Sequence, residues 1–189
     1  MRYPLFLNLA GEPVTVIGAG RVAQRKIRSL LAAGARVTAI SPEATAPLRR
    51  LARSRKIRWL HRRYRTGDLP GARLVIAATD DPALNRRVCA EAKRRRLLVN
   101  CVTPPEAGNF IVPAVLRKGR VVVAISTGGA SPALARELRR KLEQFLDGRY
   151  ASVANRMATI RKSVSARATP ARRKTVYRRT LKRLLKGAR

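Results

Sequence analysis

Apolar residues along this chain switch between two periods in a regular order. Val14 to Ile17 is a β-branched run that ends at Gly18, and from Arg21 to Ala33 the apolar positions Val22, Ala23, Ile27, Leu30 and Leu31 recur at helical spacing. A strand followed by a helix is predicted. Gly34 closes that helix, and Ala35 to Ile40 reads as a second strand stopped by Ser41 and Pro42. The alternation continues with a helix over Pro47 to Arg55, a short strand over Ile57 to Leu60 and an apolar strand over Leu74 to Ala78. Thr79-Asp80-Asp81-Pro82 then leads into a helix over Ala83 to Arg95, followed by a strand over Leu97 to Val102. Strands alternating with helices predict a parallel, doubly wound sheet, because right-handed crossovers cover both of its faces.

After Thr103 the pattern changes. Phe110 to Leu116 and Arg120 to Ser126 are extended runs separated by Arg117-Lys118-Gly119, which predicts a hairpin with Pro113 near an edge. Ser131 as N-cap and Pro132 at the first helical position open a long helix to about Leu146. A hairpin with one helix cannot bury itself, so it is expected to dock on the first domain or on a second copy of the chain. Beyond Asp147 the sequence holds no acidic residue, and two helical stretches, Ser152 to Ser163 and Ala171 to Leu185, flank Ala168-Thr169-Pro170.

Composition narrows the classes. No apolar run reaches the length of a membrane span, and the N-terminal stretch leads into a strand with no small-residue cleavage site, so a cytoplasmic protein without membrane partners is expected. Cys89 and Cys101 have neither a CxxC nor a zinc-type spacing and read as reduced interior thiols, with no resident metal. His61, the only histidine, reads as a surface residue. The 43 Lys and Arg against 10 Asp and Glu, a net charge of +33, attract polyanions, whether nucleic acid or a polycarboxylate. Aromatics at 4% are too few for a base-stacking platform, which makes nucleic acid the less favoured partner.

Gly18-Ala19-Gly20-Arg21-Val22-Ala23 fits GxGxxG/A between a strand and a helix, with the second strand where the dinucleotide fingerprint needs it. Gly18 allows the tight turn, Gly20 the close approach of phosphate, and Ala23 the packing of helix on strand. The helix N-terminus then faces the pyrophosphate of a dinucleotide, read as NAD. Strand two carries no acid at its tip; Glu43 either reaches a ribose hydroxyl or is a solvated loop charge. Thr79, Asp80 and Asp81 at a strand's carboxyl end are either a helix cap, a cofactor contact or both. Ser126, Thr127, Gly128 and Ser131 belong to a loop that is either an anion cradle or a plain glycine-rich connection.

These residues resemble the precorrin-2 dehydrogenase and sirohydrochlorin ferrochelatase family of siroheme biosynthesis, which includes the amino-terminal part of bacterial siroheme synthase. The similarity runs through Tyr3-Pro-Leu-Phe-Leu, VIGAGRVAQRKIRSLLAAGARVT, Val75-Ile-Ala-Ala-Thr-Asp-Asp-Pro, Leu84-Asn85, Asn109-Phe-Ile-Val-Pro and AISTGGASPALARELRRKLE, and fades in the tail. The resemblance implies an α/β fold: a NAD-binding Rossmann domain with a parallel sheet over 1–112, a small α+β dimerisation domain over 113–148, and a basic helical C-terminal region over 149–189. It implies a homodimer that oxidises precorrin-2, a tetrapyrrole polycarboxylate, with NAD accepting a hydride, and in bifunctional members inserts ferrous iron. By the same resemblance Arg21, Val22, Pro42 and Glu43 contact NAD, while Asn109 and the loop Ser126 to Ser131 face the tetrapyrrole. One position departs: where the family has an Asp serving as the acid-base or metal-handling group, this chain has Thr103. A threonine takes no proton near neutral pH and is a poor iron ligand. Glu106 is the nearest acid, either a substitute or a solvent-facing side chain. Hydride transfer depends mainly on placement of the cofactor, so dehydrogenation is expected and chelation left open, against the alternatives of a binding module without catalysis and a basic nucleic-acid binder.

Overall fold

The computed structural model describes residues 2–164 and 169–186 and divides into two compact units, 1–112 and 113–189. Ala168, expected between the last two helices, lies outside the described residues.

The first unit holds a five-stranded, wholly parallel sheet in the order β3-β2-β1-β4-β5. Its elements are β1 (Pro13–Ile17), α1 (Arg21–Ala32), β2 (Arg36–Ile40), α2 (Ala46–Arg53), β3 (Arg58–Leu60), β4 (Leu74–Ala77), α3 (Pro82–Arg94) and β5 (Leu98–Cys101). This is the doubly wound α/β fold. Alternation along the strands splits the core in two. Val14, Val16, Val37, Ala39, Leu74 and Ile76 meet Ala23 and Ile27 of α1 and Leu48 of α2 on one face. Ile17, Ile40, Val75, Ala77, Val99 and Cys101 meet Val88, Cys89 and Ala92 of α3 on the other. Both faces being covered explains why these strands read as continuous apolar runs.

No helix joins β3 to β4; the long connection covers the α3 face with Tyr64 and Leu69 and is pinned by ionic and polar bonds. Arg62 grips Asp68 through two bonds of 2.7 and 2.8 Å. The buried Glu91 of α3 accepts from the Tyr64 hydroxyl, the Gly67 amide at 3.1 Å and Arg95 Nε at 3.0 Å. Burial alone raises the Glu91 pKa, but these three donors outweigh it and hold the group below its ordinary value.

The edge of β5 is covered by the chain that follows it. Asn109 Oδ1 accepts from the Val99 amide at 2.8 Å and its Nδ2 donates to the Leu97 carbonyl at 2.8 Å, reproducing ladder bonds on the free edge. Gly108 permits this approach, since a Cβ there would lie 2.8 Å from the Val99 carbonyl oxygen. Phe110 therefore packs on the first core, and the extended run expected to begin at Phe110 starts as a strand only at Ala114.

The second unit contains an antiparallel hairpin, β6 (Ala114–Lys118) and β7 (Val121–Ile125), then α4 (Pro132–Phe145), α5 (Gly148–Val164) and α6 (Pro170–Lys186). Lys118 pairs with Val121, so the turn is Gly119-Arg120, not the expected Arg117-Lys118-Gly119. Gly119 adopts φ +56, which suits the first central position of a two-residue hairpin. α5 lies on the hairpin, where a Cβ at Gly119 would come 3.1 Å from the Ala151 Cβ. Ser131 caps α4 as expected, accepting from the Leu134 amide at 3.1 Å.

Candidate functional site

The glycine turn stands at the carboxyl end of β1, between β2 and β4, where strand order reverses and open α/β sheets take ligands. Gly18 is demanded by the protein itself. Its φ is +99, its amide donates to the Ile40 carbonyl at 2.9 Å, and a Cβ would overlap the Ala78 carbonyl. Gly20 is different: with φ −74 and ψ −172 it caps α1, and a Cβ there meets no protein atom within 4 Å. Its missing side chain leaves an open approach to the first turn of the helix. The amides of Arg21, Val22 and Ala23 begin α1 without intrahelical acceptors and, with the helix dipole, favour an anion. Ala23, fully buried, fixes the helix against the sheet. The turn thus fits the pyrophosphate of a dinucleotide on geometry alone.

The loop after β2 is tied to this turn. Thr45 donates its amide to the Ala19 carbonyl at 3.1 Å and its hydroxyl to Gln24 Oε1 at 2.7 Å. Pro42 and Glu43, expected to contact the cofactor, are exposed in this loop. An open groove lies where the loop meets α1, lined by Arg21, Gln24, Arg25, Thr45 and Pro47. Its surroundings are positive: burial and the neighbouring Arg25 both lower the pKa of Lys26.

At the carboxyl ends of β4 and β5 the buried Asn85 joins two chain segments. Its Oδ1 accepts from the Thr79 amide at 3.1 Å and the Thr79 hydroxyl at 2.8 Å, while its Nδ2 donates to the Thr79 carbonyl at 3.0 Å and the Thr103 carbonyl at 2.9 Å. Every polar atom of the amide is used. The Thr79 hydroxyl, expected on the cofactor, is thereby committed inside the protein, and Asp81 is the N-cap of α3, accepting from the Ala83 and Leu84 amides at 2.8 and 3.0 Å. Asp80 is exposed beside them. Thr103 is exposed at the tip of β5, its carbonyl held by Asn85, with a cis bond to Pro104. Glu106 is exposed on a separate short turn, Pro105–Ala107.

The first unit therefore brings Gly18, Gly20, Arg21, Val22, Asp80 and Thr103 to one end of its sheet. Asn109 sits instead along the edge of β5, its amide spent on the backbone there. The loop Ser126 to Ser131 belongs to the second unit, where its hydroxyls hold its own shape: Thr127 Oγ1 bonds both the amide and the carbonyl of Ser131 at 3.0 Å, and Ser126 Oγ accepts from the Gly128 amide at 3.1 Å. The functional residue that sequence reasoning passed over is Asn85. Its signal was present: it stands with Val88, Cys89 and Ala92 on one helical stripe, a lone amide among apolar side chains.

Comparison with known proteins agrees with this geometry. The sequence family described as putative NAD(P)-binding matches residues 5–114, and that described as sirohaem biosynthesis protein central matches residues 119–144. Siroheme synthase of Methylococcus capsulatus is 42% identical over 179 residues, and that of Pseudomonas entomophila 44% identical over 163 residues, covering 94% and 86% of this chain. The chain spans only 38% and 35% of the length of these relatives. Among solved structures, the precorrin-2 dehydrogenase SirC superposes with a TM-score of 0.82 at 26% identity, covering 99% of this chain and 98% of its own. The chain belongs to the NAD(P)-binding family of siroheme biosynthesis that its motifs resemble, the precorrin-2 dehydrogenase and sirohydrochlorin ferrochelatase family.

Proposed function

We propose that this chain is a dehydrogenase that oxidises precorrin-2 to sirohydrochlorin with NAD as acceptor. The observation that carries the reading is the likeness to SirC over nearly the whole of both chains, joined to a glycine turn whose open face is at Gly20. The bound nicotinamide accepts a hydride, and the substrate's second hydrogen leaves as a proton. The chain's own part is placement. Gly18, Gly20, Arg21 and Val22 hold the pyrophosphate; Pro42 and Glu43 lie toward the adenosine ribose; Asp80 and Thr103 border the reacting end, and Asn85 holds their two loops in register. The net charge of +33 draws in a polycarboxylate, and Ser126, Thr127, Gly128 and Ser131 supply a preshaped loop for its carboxylates.

Iron is a substrate in the second reaction of the family, which also requires pyrrole protons to be removed. Thr103 supplies no base for that step, which supports oxidation without chelation. A homodimer is supported by α4, where Leu134, Leu138 and Phe145 form an exposed apolar stripe at positions i, i+4 and i+11. A cytoplasmic site is favoured by the two buried free thiols, and no helix among the described residues is long and apolar enough to cross a membrane.

Mixing the protein with precorrin-2 and NAD is expected to yield NADH absorbance together with the sirohydrochlorin spectrum. Binding of both without turnover would overturn the enzyme reading in favour of a binding module. With ferrous iron and sirohydrochlorin, Thr103→Asp is expected to raise the insertion rate by about tenfold or more, the lower part of the range for a restored general base; an unchanged rate would move the limiting step away from this position.

A further inference from the structure

We propose that the groove between α1 and the loop entering α2 receives the 2′-phosphate of NADP, so that the chain binds NADP at least as tightly as NAD. The inference rests on the reading of the glycine turn as a dinucleotide site and concerns the adenosine end of that site.

In α/β dinucleotide folds the adenosine ribose lies beyond the tip of the second strand, where a carboxylate selects NAD by accepting from the 2′-hydroxyl and repelling a 2′-phosphate. Here no acid occupies that tip. β2 ends at Ile40 and is followed by Ser41, whose backbone is spent on β3: its amide donates to the Leu60 carbonyl at 3.2 Å and its carbonyl accepts from Trp59 Nε1 at 3.0 Å. Glu43, two residues on, is exposed.

The groove beside this tip has the opposite character. None of its five lining residues carries a carboxylate, and two are arginines. Arg21 and Arg25 are one helical turn apart on α1, both exposed, and among the described residues neither makes an ion pair. Like charges at this spacing repel and weaken a helix, and a bound dianion between them turns that repulsion into two charge-assisted contacts. Gln24 adds a donor. Its Oε1 is engaged by the Thr45 hydroxyl, which leaves its amide hydrogens facing the groove's other polar groups. The Thr45 amide bond to Ala19 fixes the far wall, so the site is formed by the loop's own closure on the glycine turn. The lowered pKa of Lys26 reports the same positive field.

Calorimetric titration with NADP and NAD, and with 2′-phospho-ADP-ribose and ADP-ribose as probes lacking the nicotinamide, tests this without turnover. The phosphorylated member of each pair is expected to bind as tightly as the other or more tightly, and to weaken more steeply as salt rises. Arg25→Glu is expected to lower the NADP-to-NAD affinity ratio by about tenfold, through a like charge facing the phosphate, while circular dichroism reports an intact fold; Arg25→Gln should lower it less. A preference for NAD of more than about tenfold, the scale on which one opposed charge acts, would overturn the inference, as would an affinity ratio unmoved by Arg25→Glu. Failure of all four ligands to bind would overturn the dinucleotide reading of the glycine turn itself, and is distinguished by the silence of NAD and ADP-ribose.

Discussion

The two units solve the problem of burial in different ways. The first closes its sheet under α1 and α2 on one face and under α3 with the Tyr64 to Leu69 connection on the other, and leaves side chains such as Val16, Ile27, Val75 and Val99 with no exposed surface. In the second, only Leu116, Ala135 and Val153 are buried among the described residues, while Leu134 is 50% and Phe145 65% exposed. A parallel sheet with both faces covered completes its core within one chain. A two-stranded hairpin with three helices does not, and keeps an apolar stripe for another surface. Cofactor holding is thus assigned to the self-sufficient unit and assembly to the dependent one.

The sharpest way to test this division is to contrast the two glycines of one turn. Gly18→Val forces a Cβ onto the Ala78 carbonyl at a positive φ, and is expected to cost about 3–5 kcal/mol in the first unit's stability, read by denaturant unfolding. Gly20→Val meets no protein atom; stability should hold within about 1 kcal/mol, the size of an ordinary exposed change, while NAD binding is lost. Unfolding by the second variant, or retained NAD affinity, would break the assignment of one glycine to the fold and the other to the cofactor.

Asn85 comes next in size. Asn85→Ala leaves the Thr79 and Thr103 groups it bonds without partners in a buried setting, at a cost of about 3 kcal/mol. It should also loosen the loops at the reacting end, lowering turnover with precorrin-2 more than NAD affinity. An equal fall in both would make Asn85 a residue of stability alone.

In the second unit, Leu138→Asp is expected to weaken self-association by about a hundredfold, near 2.8 kcal/mol, measured by sedimentation, with NAD affinity unchanged. A variant as associated as the parent would place the α4 stripe against something other than a second copy.

The smallest effect concerns acid. Because the folded Glu91 is held below its ordinary value of 4.5, its contribution is complete above that pH and is lost as pH falls through the lower folded value. Unfolding midpoints measured down from pH 5 should show the first unit losing stability in this range, and Glu91→Gln should flatten that dependence. A parent and variant with parallel profiles would remove Glu91 from the acid response.

Much of this was legible before any coordinates. Every strand and helix of the first unit falls within a few residues of its predicted span, because each is encoded locally by period, by Gly34 after α1 and by the Asp81 cap of α3. The hairpin was legible in kind but misplaced at its turn, since Arg117-Lys118-Gly119 looks turn-like until strand pairing puts Gly119 at the position that takes a positive φ. Asn109 was read toward a ligand, yet its amide completes the β5 edge, a use visible only once that edge is known to be free.

By itself the sequence determined the order of elements, the glycine turn, the family and the loss of the carboxylate at Thr103, because these depend on residue type and near-neighbour spacing. Only the tertiary structure decided that Gly18 serves the fold while Gly20 serves a ligand, that Asn85 clasps two strand ends, and that Arg21 and Arg25 share a groove with Thr45. Those roles arise from approaches between segments distant in sequence, where the packing of one strand or helix against another sets which atoms remain free to bind.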